Sequence, residues 1–112
     1  MSDKDDWGRD PQVRHLRGVF AEIEKAQADF LRRLHVSPLD YRLRRVREAA
    51  LTLFERTGME ASRKGIVRSE EETAILYVYC LARILAANRI SVPAEELPGN
   101  ERIEEFVREA LK

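Results

Sequence analysis

The residues best suited to metal ligation or nucleophilic chemistry are His15, His35 and Cys80. A helical metal centre of the carboxylate type needs Glu-x-x-His pairs on facing helices, and neither histidine follows a glutamate by three positions. Cys80 is the single cysteine and lies in an apolar run, whereas a reactive thiolate needs an electropositive, accessible setting. We therefore expect no metal, no cofactor and no catalytic residue, and hence a non-enzymatic protein.

Arginine could also recognise phosphate. Residues 32–68 carry ten basic and four acidic side chains, although the whole chain has 20 of each. The densest cluster comprises Arg42, Arg44, Arg45 and Arg47. Such a block could follow a nucleic-acid backbone without reading its bases. The alternative is a solvated helix face, because Arg44 and Glu48 have the spacing of an i, i+4 ion pair.

Arg83 is the one charged residue in residues 73–87, a run that is apolar around almost the whole helix. Ser69, followed by three glutamates, is a typical capping box at the start of this helix. A helix that is apolar on all sides must be surrounded by protein or lipid, and this one is shorter than the ~20 apolar residues that a membrane span needs. The pattern predicts a central helix. Arg83 either extends to the surface or pairs with a carboxylate at an interface.

The first helix, predicted from Pro11 to about Leu34, carries a heptad seam with steps of three and four residues. Its members are Val13, Leu16, Phe20, Ile23, Gln27, Phe30 and Leu34. A single polar member of such a seam can fix the register of paired helices. The seam therefore predicts a homodimer interface.

The second helix is predicted to start at Ser37-Pro38 and to end at Gly58, residues typical of helix starts and stops. Its expected core stripe is Leu39, Leu43, Val46, Ala50, Leu53 and Phe54. Residues 59–68 are expected to form a connector that could hold one helical turn before Gly65. Asn100 is expected to cap a last amphipathic helix over residues 101–112.

Together these patterns predict an all-α, four-helix bundle-like domain over residues 10–112, with the apolar helix at its centre. Four of the first ten residues are aspartates, and Trp7-Gly8 is the only apolar feature of residues 1–9. Residues 1–9 are therefore expected to form a disordered, acidic tail. The single cysteine and the polar N-terminal residues indicate the cytoplasm and no membrane contact.

The leading functional hypothesis is a small helical assembly subunit or adaptor that binds itself or another protein. The first alternative is a nucleic-acid-associated subunit that uses the arginine-rich block 32–68. The second alternative is a regulator or enzyme with a small-ligand pocket beside Tyr79, Cys80 and Arg83.

Overall fold

The fold consists of helices alone over the part of the chain that the computed structural model describes, which is residues 11–111 for the backbone and 18–111 for the side chains. The elements are α1 (Pro11–Arg33), α2 (Leu43–Arg63), α3 (Glu70–Ala87), a 3-10 turn (Ala94–Glu96) and α4 (Glu101–Ala110). The predicted all-α class and the four helices are confirmed. The predicted tail, residues 1–9, lies outside the described residues.

Helix α3 is the centre of the molecule, as its apolar circumference predicted. Residues 76–82 are all buried, and each of the other three helices packs against α3. The Ser69 hydroxyl accepts the Glu72 backbone N–H at 3.0 Å, which caps α3. The Glu72 carboxylate accepts the N–H of Arg68 at 2.9 Å and pairs with Arg102, so this side chain also joins α3 to α4.

Helices α1 and α2 both cover α3 but barely touch each other. The Tyr77 hydroxyl of α3 donates a hydrogen bond to the Gln27 side chain of α1, and the Phe54 ring of α2 meets the Tyr77 ring edge-on at 5.6 Å. Burial raises the pKa of Tyr77 to about 12. Tyr77 of α3 therefore contacts both outer helices and holds each of them to the core.

The start of α2 differs from the prediction. The helix begins at Leu43 rather than at Pro38, because the preceding residues form a turn in which the Asp40 carboxylate accepts the Arg42 backbone N–H at 2.9 Å. Leu39 is 91% exposed, so its predicted place in the core stripe is wrong. The rest of the stripe is confirmed, with Leu43, Val46 and Ala50 buried and with Leu53 and Phe54 packed against the core.

The end of α2 differs as well. The helix continues through Gly58 to Arg63, so Gly58 is an interior residue and the first part of the predicted connector is helical. A glycine inside a helix costs only about 1 kcal/mol, which burial of Ala61 beyond it can offset. The helix ends where Gly65 takes a φ of +71° and the Ile66 N–H donates to the Ala61 carbonyl at 2.8 Å.

Helices α1 and α3 end in the same way without glycine. His35 has a φ of 58° and Arg89 a φ of 64°, and the N–H that follows each of them bonds back five residues to the helix. Helix α4 starts as predicted, with the Asn100 side-chain oxygen accepting the Ile103 N–H at 3.1 Å. Among the described helices, none is long and apolar enough to cross a bilayer.

Candidate interaction surface

An apolar groove of about 1030 Å³ lies between α1 and α2. It exists because both helices pack on α3 and not on each other. The groove is lined by Val19 and Phe20 of α1, by one face of α2, and by the first two turns of α3 with the segment before it. The lining residues of α2 are Phe54, Glu55, Gly58, Met59, Ser62 and Arg63. Leu76 belongs to both the groove lining and the core.

Two large apolar side chains that line this groove are exposed to solvent. Phe20 of α1 is 52% exposed and Met59 of α2 is 80% exposed. Core side chains of α1 one and three turns further on, Ile23 and Phe30, are almost completely buried. An apolar patch that is this open is typical of a protein–protein contact surface.

The α2 wall of the groove combines small and charged residues. Gly58 and Ser62 line it one turn apart, and a Cβ built on Gly58 would have only the Phe54 ring within 4 Å. Glu55 and Arg63 lie on either side of Met59 and also line the groove. Another helix could therefore approach this wall closely, between charges of opposite sign.

The residues of the predicted heptad seam have different environments in the structure. Ile23 and Phe30 are buried in the core of the chain itself, and Leu34 packs against that core. Gln27, the polar member, is bonded to Tyr77 within the chain. Phe20 is the seam member with open surface, whereas the side chains of Val13 and Leu16 lie outside the described residues. The role of the seam in dimerisation remains a prediction.

Arg42, the first residue of the predicted anion-binding cluster, uses its guanidinium group for hydrogen bonds within the chain. Its Nε and Nη2 atoms donate to the two Asp40 oxygens at 3.0 and 2.7 Å, and its Nη1 donates to the Asn88 carbonyl at 3.2 Å. The hydrogen bonds from Arg42 lower the pKa of Asp40 to about 2. Arg42 thus ties the start of α2 to the C-terminal end of α3, where a cation is favoured by the helix dipole.

Carboxylates pair with several of the other basic residues of the block. Arg44 reaches Glu48 at 3.5 Å, and Arg45 and Arg47 are exposed on the same helix. The remaining ion pairs of the block are Arg32–Asp29, Arg33–Glu96, Arg63–Glu60 and Lys64–Glu60. A basic face that is interrupted in this way attracts a polyanion less than a continuous one.

Arg83 is exposed, which agrees with the surface alternative for this residue. It lines a cavity of about 240 Å³ together with Tyr79, Arg108 and apolar residues of α3, α4 and the loop between them. Arg108 is paired there with Glu104 at 3.3 Å. The cavity is smaller than the ~300–1,000 Å³ of typical ligand sites.

Cys80 is completely buried, and its sulfur lies 3.5 Å from the Thr57 hydroxyl. Burial raises the pKa of the Cys80 thiol, which is the opposite of what a nucleophile needs. It does not line the cavity beside Arg83. Within residues 18–111, no three side chains of the His, Cys, Asp and Glu types come together as a metal site would require.

Met59 and the groove itself were missed by the sequence patterns, because Gly58 was interpreted as the end of α2. An available signal was Gly65, which is followed by the apolar pair Ile66-Val67 as expected after a helix end of this type.

Neither a protein-family model, a curated protein nor a solved structure matches this chain.

Proposed function

We propose that this protein is a non-enzymatic, cytoplasmic assembly subunit that forms a homodimer through the groove between α1 and α2. The observation that carries the proposal is the exposure of Phe20 and Met59 on facing walls of one apolar groove. The buried, neutral thiol of Cys80 supports the non-enzymatic part of the proposal.

The energetic argument is that this surface is costly to leave in water. Each 100 Å² of apolar surface that is covered contributes about 2.5 kcal/mol, so a partner that fills the groove gains a few kcal/mol from its apolar lining. The other exposed large apolar residues of the described chain are Leu39 and Tyr41 in the turn before α2 and Leu51 within α2, and none of them lines the groove. The groove differs from these residues because its two exposed apolar side chains share one concave surface that a partner can fill.

Aspartate at position 20 should separate dimer formation from folding. Because Phe20 is half-exposed in the single chain, the carboxylate of Phe20→Asp can remain in water there and helicity should be retained. In the dimer the same charge would be buried without a partner, which costs several kcal/mol. We expect the dissociation constant to rise at least about 100-fold. Sedimentation equilibrium at micromolar concentration, with circular dichroism for helicity, measures both effects.

Leu39→Asp is the matched control, since it places the same charge at an exposed apolar residue away from the groove. It should sediment like the wild type, at twice the chain mass of 13.0 kDa. A wild-type protein that sediments at the single-chain mass at all concentrations would refute the proposal.

A further inference from the structure

Three exposed residues of α2 form one row along the edge of the groove. Glu55, Met59 and Arg63 are each four positions apart, so neighbours in the row are separated by about 6 Å along the helix. All three line the groove. Glu55 forms no ion pair with any side chain among residues 18–111. Arg63 is 75% exposed, and its pair with Glu60 is a local one on the surface of α2.

This row is complementary to a second copy of itself in one orientation. If two α2 helices run antiparallel across a two-fold axis level with Met59, the residue four positions before Met59 faces the residue four positions after it. Glu55 of each copy then lies opposite Arg63 of the other, and the ion pair forms twice. In a parallel pair, Glu55 would face Glu55 and Arg63 would face Arg63.

We infer that the second copy inserts its α2 antiparallel into the groove, with the two Met59 side chains at the two-fold axis. This inference rests on the proposed homodimer and specifies its geometry. Gly58 and Ser62 let the helix approach closely, and Phe20 of each copy then covers the α2 of the other. Each copy's α2 becomes both a wall of its own groove and the helix that fills its partner's groove.

Charge reversal tests the register. Glu55→Arg and Arg63→Glu each place like charges opposite one another twice, and each should weaken the dimer about tenfold or more at about 50 mM salt. The double variant restores opposite charges in the exchanged order, so its dissociation constant should return to within about threefold of wild type. Glu48→Arg is the matched control, because it makes the same charge change on α2 outside the groove, and it should leave the dissociation constant unchanged.

Sedimentation velocity over a dilution series measures these constants, with circular dichroism to confirm that each variant is helical. A dimeric wild type whose double variant is as weak as the two single variants combined would refute the antiparallel register while leaving the homodimer intact. A wild type that is monomeric throughout would instead refute the homodimer.

Cross-linking gives a second readout that does not depend on charge. A bismaleimide spanning about 8–10 Å, the spacing of two packed helix axes, should join two copies of Met59→Cys within the dimer. Leu39→Cys should not cross-link, and buried Cys80 should contribute no background. Cross-linking of both variants alike, or of neither, would overturn the placement of Met59 at the two-fold axis.

Discussion

At the scale of single residues, His35 and Arg89 hold a left-handed backbone that glycine adopts more easily. Both close a helix end by the same hydrogen-bond pattern that Gly65 uses at the end of α2. A residue with a Cβ in this conformation carries about 1–2 kcal/mol of strain. The sequence patterns placed both helix ends to within about one residue, but they did not reveal the left-handed backbone at His35 and Arg89, because neither histidine nor arginine is a residue typical of this conformation.

Glycine at either position should stabilise the protein. His35→Gly and Arg89→Gly should each raise the free energy of unfolding by up to about 1 kcal/mol, since the relief of strain exceeds the added chain entropy. Gly65→Ala is the converse change and should lower the free energy of unfolding by about 1–2 kcal/mol. Urea denaturation followed by circular dichroism measures all three. Equal stability of the Gly65→Ala variant and wild type would contradict the assignment of strain to these helix ends.

At the scale of elements, the sequence predicted α3 and the start of α4 well because each carries its own local signals. Ser69 and Asn100 cap their helices through their own side chains, and the apolar run of α3 has no competing stop. Helix α2 was placed wrongly at both ends because rival signals lie close together. Gly58 competes with Gly65, and Ser37 competes with Asp40. The contact of Arg42 with the end of α3, which is distant in sequence, helps to fix the observed start.

The interior position of Gly58 predicts a gain in stability when a side chain is added. In the single chain the Cβ of Gly58→Ala would lie 3.9 Å from the Phe54 ring, an ordinary contact. In the monomeric Phe20→Asp background, where no second helix approaches Gly58, the helix preference of alanine should therefore add about 1 kcal/mol to the free energy of unfolding. Gly18→Ala is the comparison within α1, because its Cβ would lie 2.8 Å from the Glu70 carboxylate. Urea titrations should show a smaller gain there. A loss of stability in Gly58→Ala would contradict the free space described at this site.

At the scale of the whole molecule, the candidate site is a property of packing that no local pattern contains. The sequence identified Phe20 as part of an interaction seam, but it did not show that α1 and α2 would separate over α3 and leave a groove. The charge distribution on the surface also depends on how the helices pack. The block 32–68 is strongly basic in sequence, yet in three dimensions six of its ten basic side chains pair with a carboxylate.

The interleaved charges predict that nucleic acid is not retained. Filter binding with single- and double-stranded DNA and RNA at about 50 mM salt, where electrostatic binding is strong, should give no retention. The variant with Arg44→Glu and Arg45→Glu should behave like wild type. Retention that falls steeply with salt and is lost in this variant would instead favour the nucleic-acid alternative.

The central position of α3 also has a consequence for the order in which the protein can fold during synthesis. Helices α1 and α2 leave the ribosome first, but they barely touch each other and gain their core only by packing on α3. Until about residue 87 has emerged, the apolar stripes of two long helices have nothing to cover them. The nascent chain is therefore most prone to aggregation before α3 has emerged, and the completion of α3 marks the point at which collapse to the native core becomes possible.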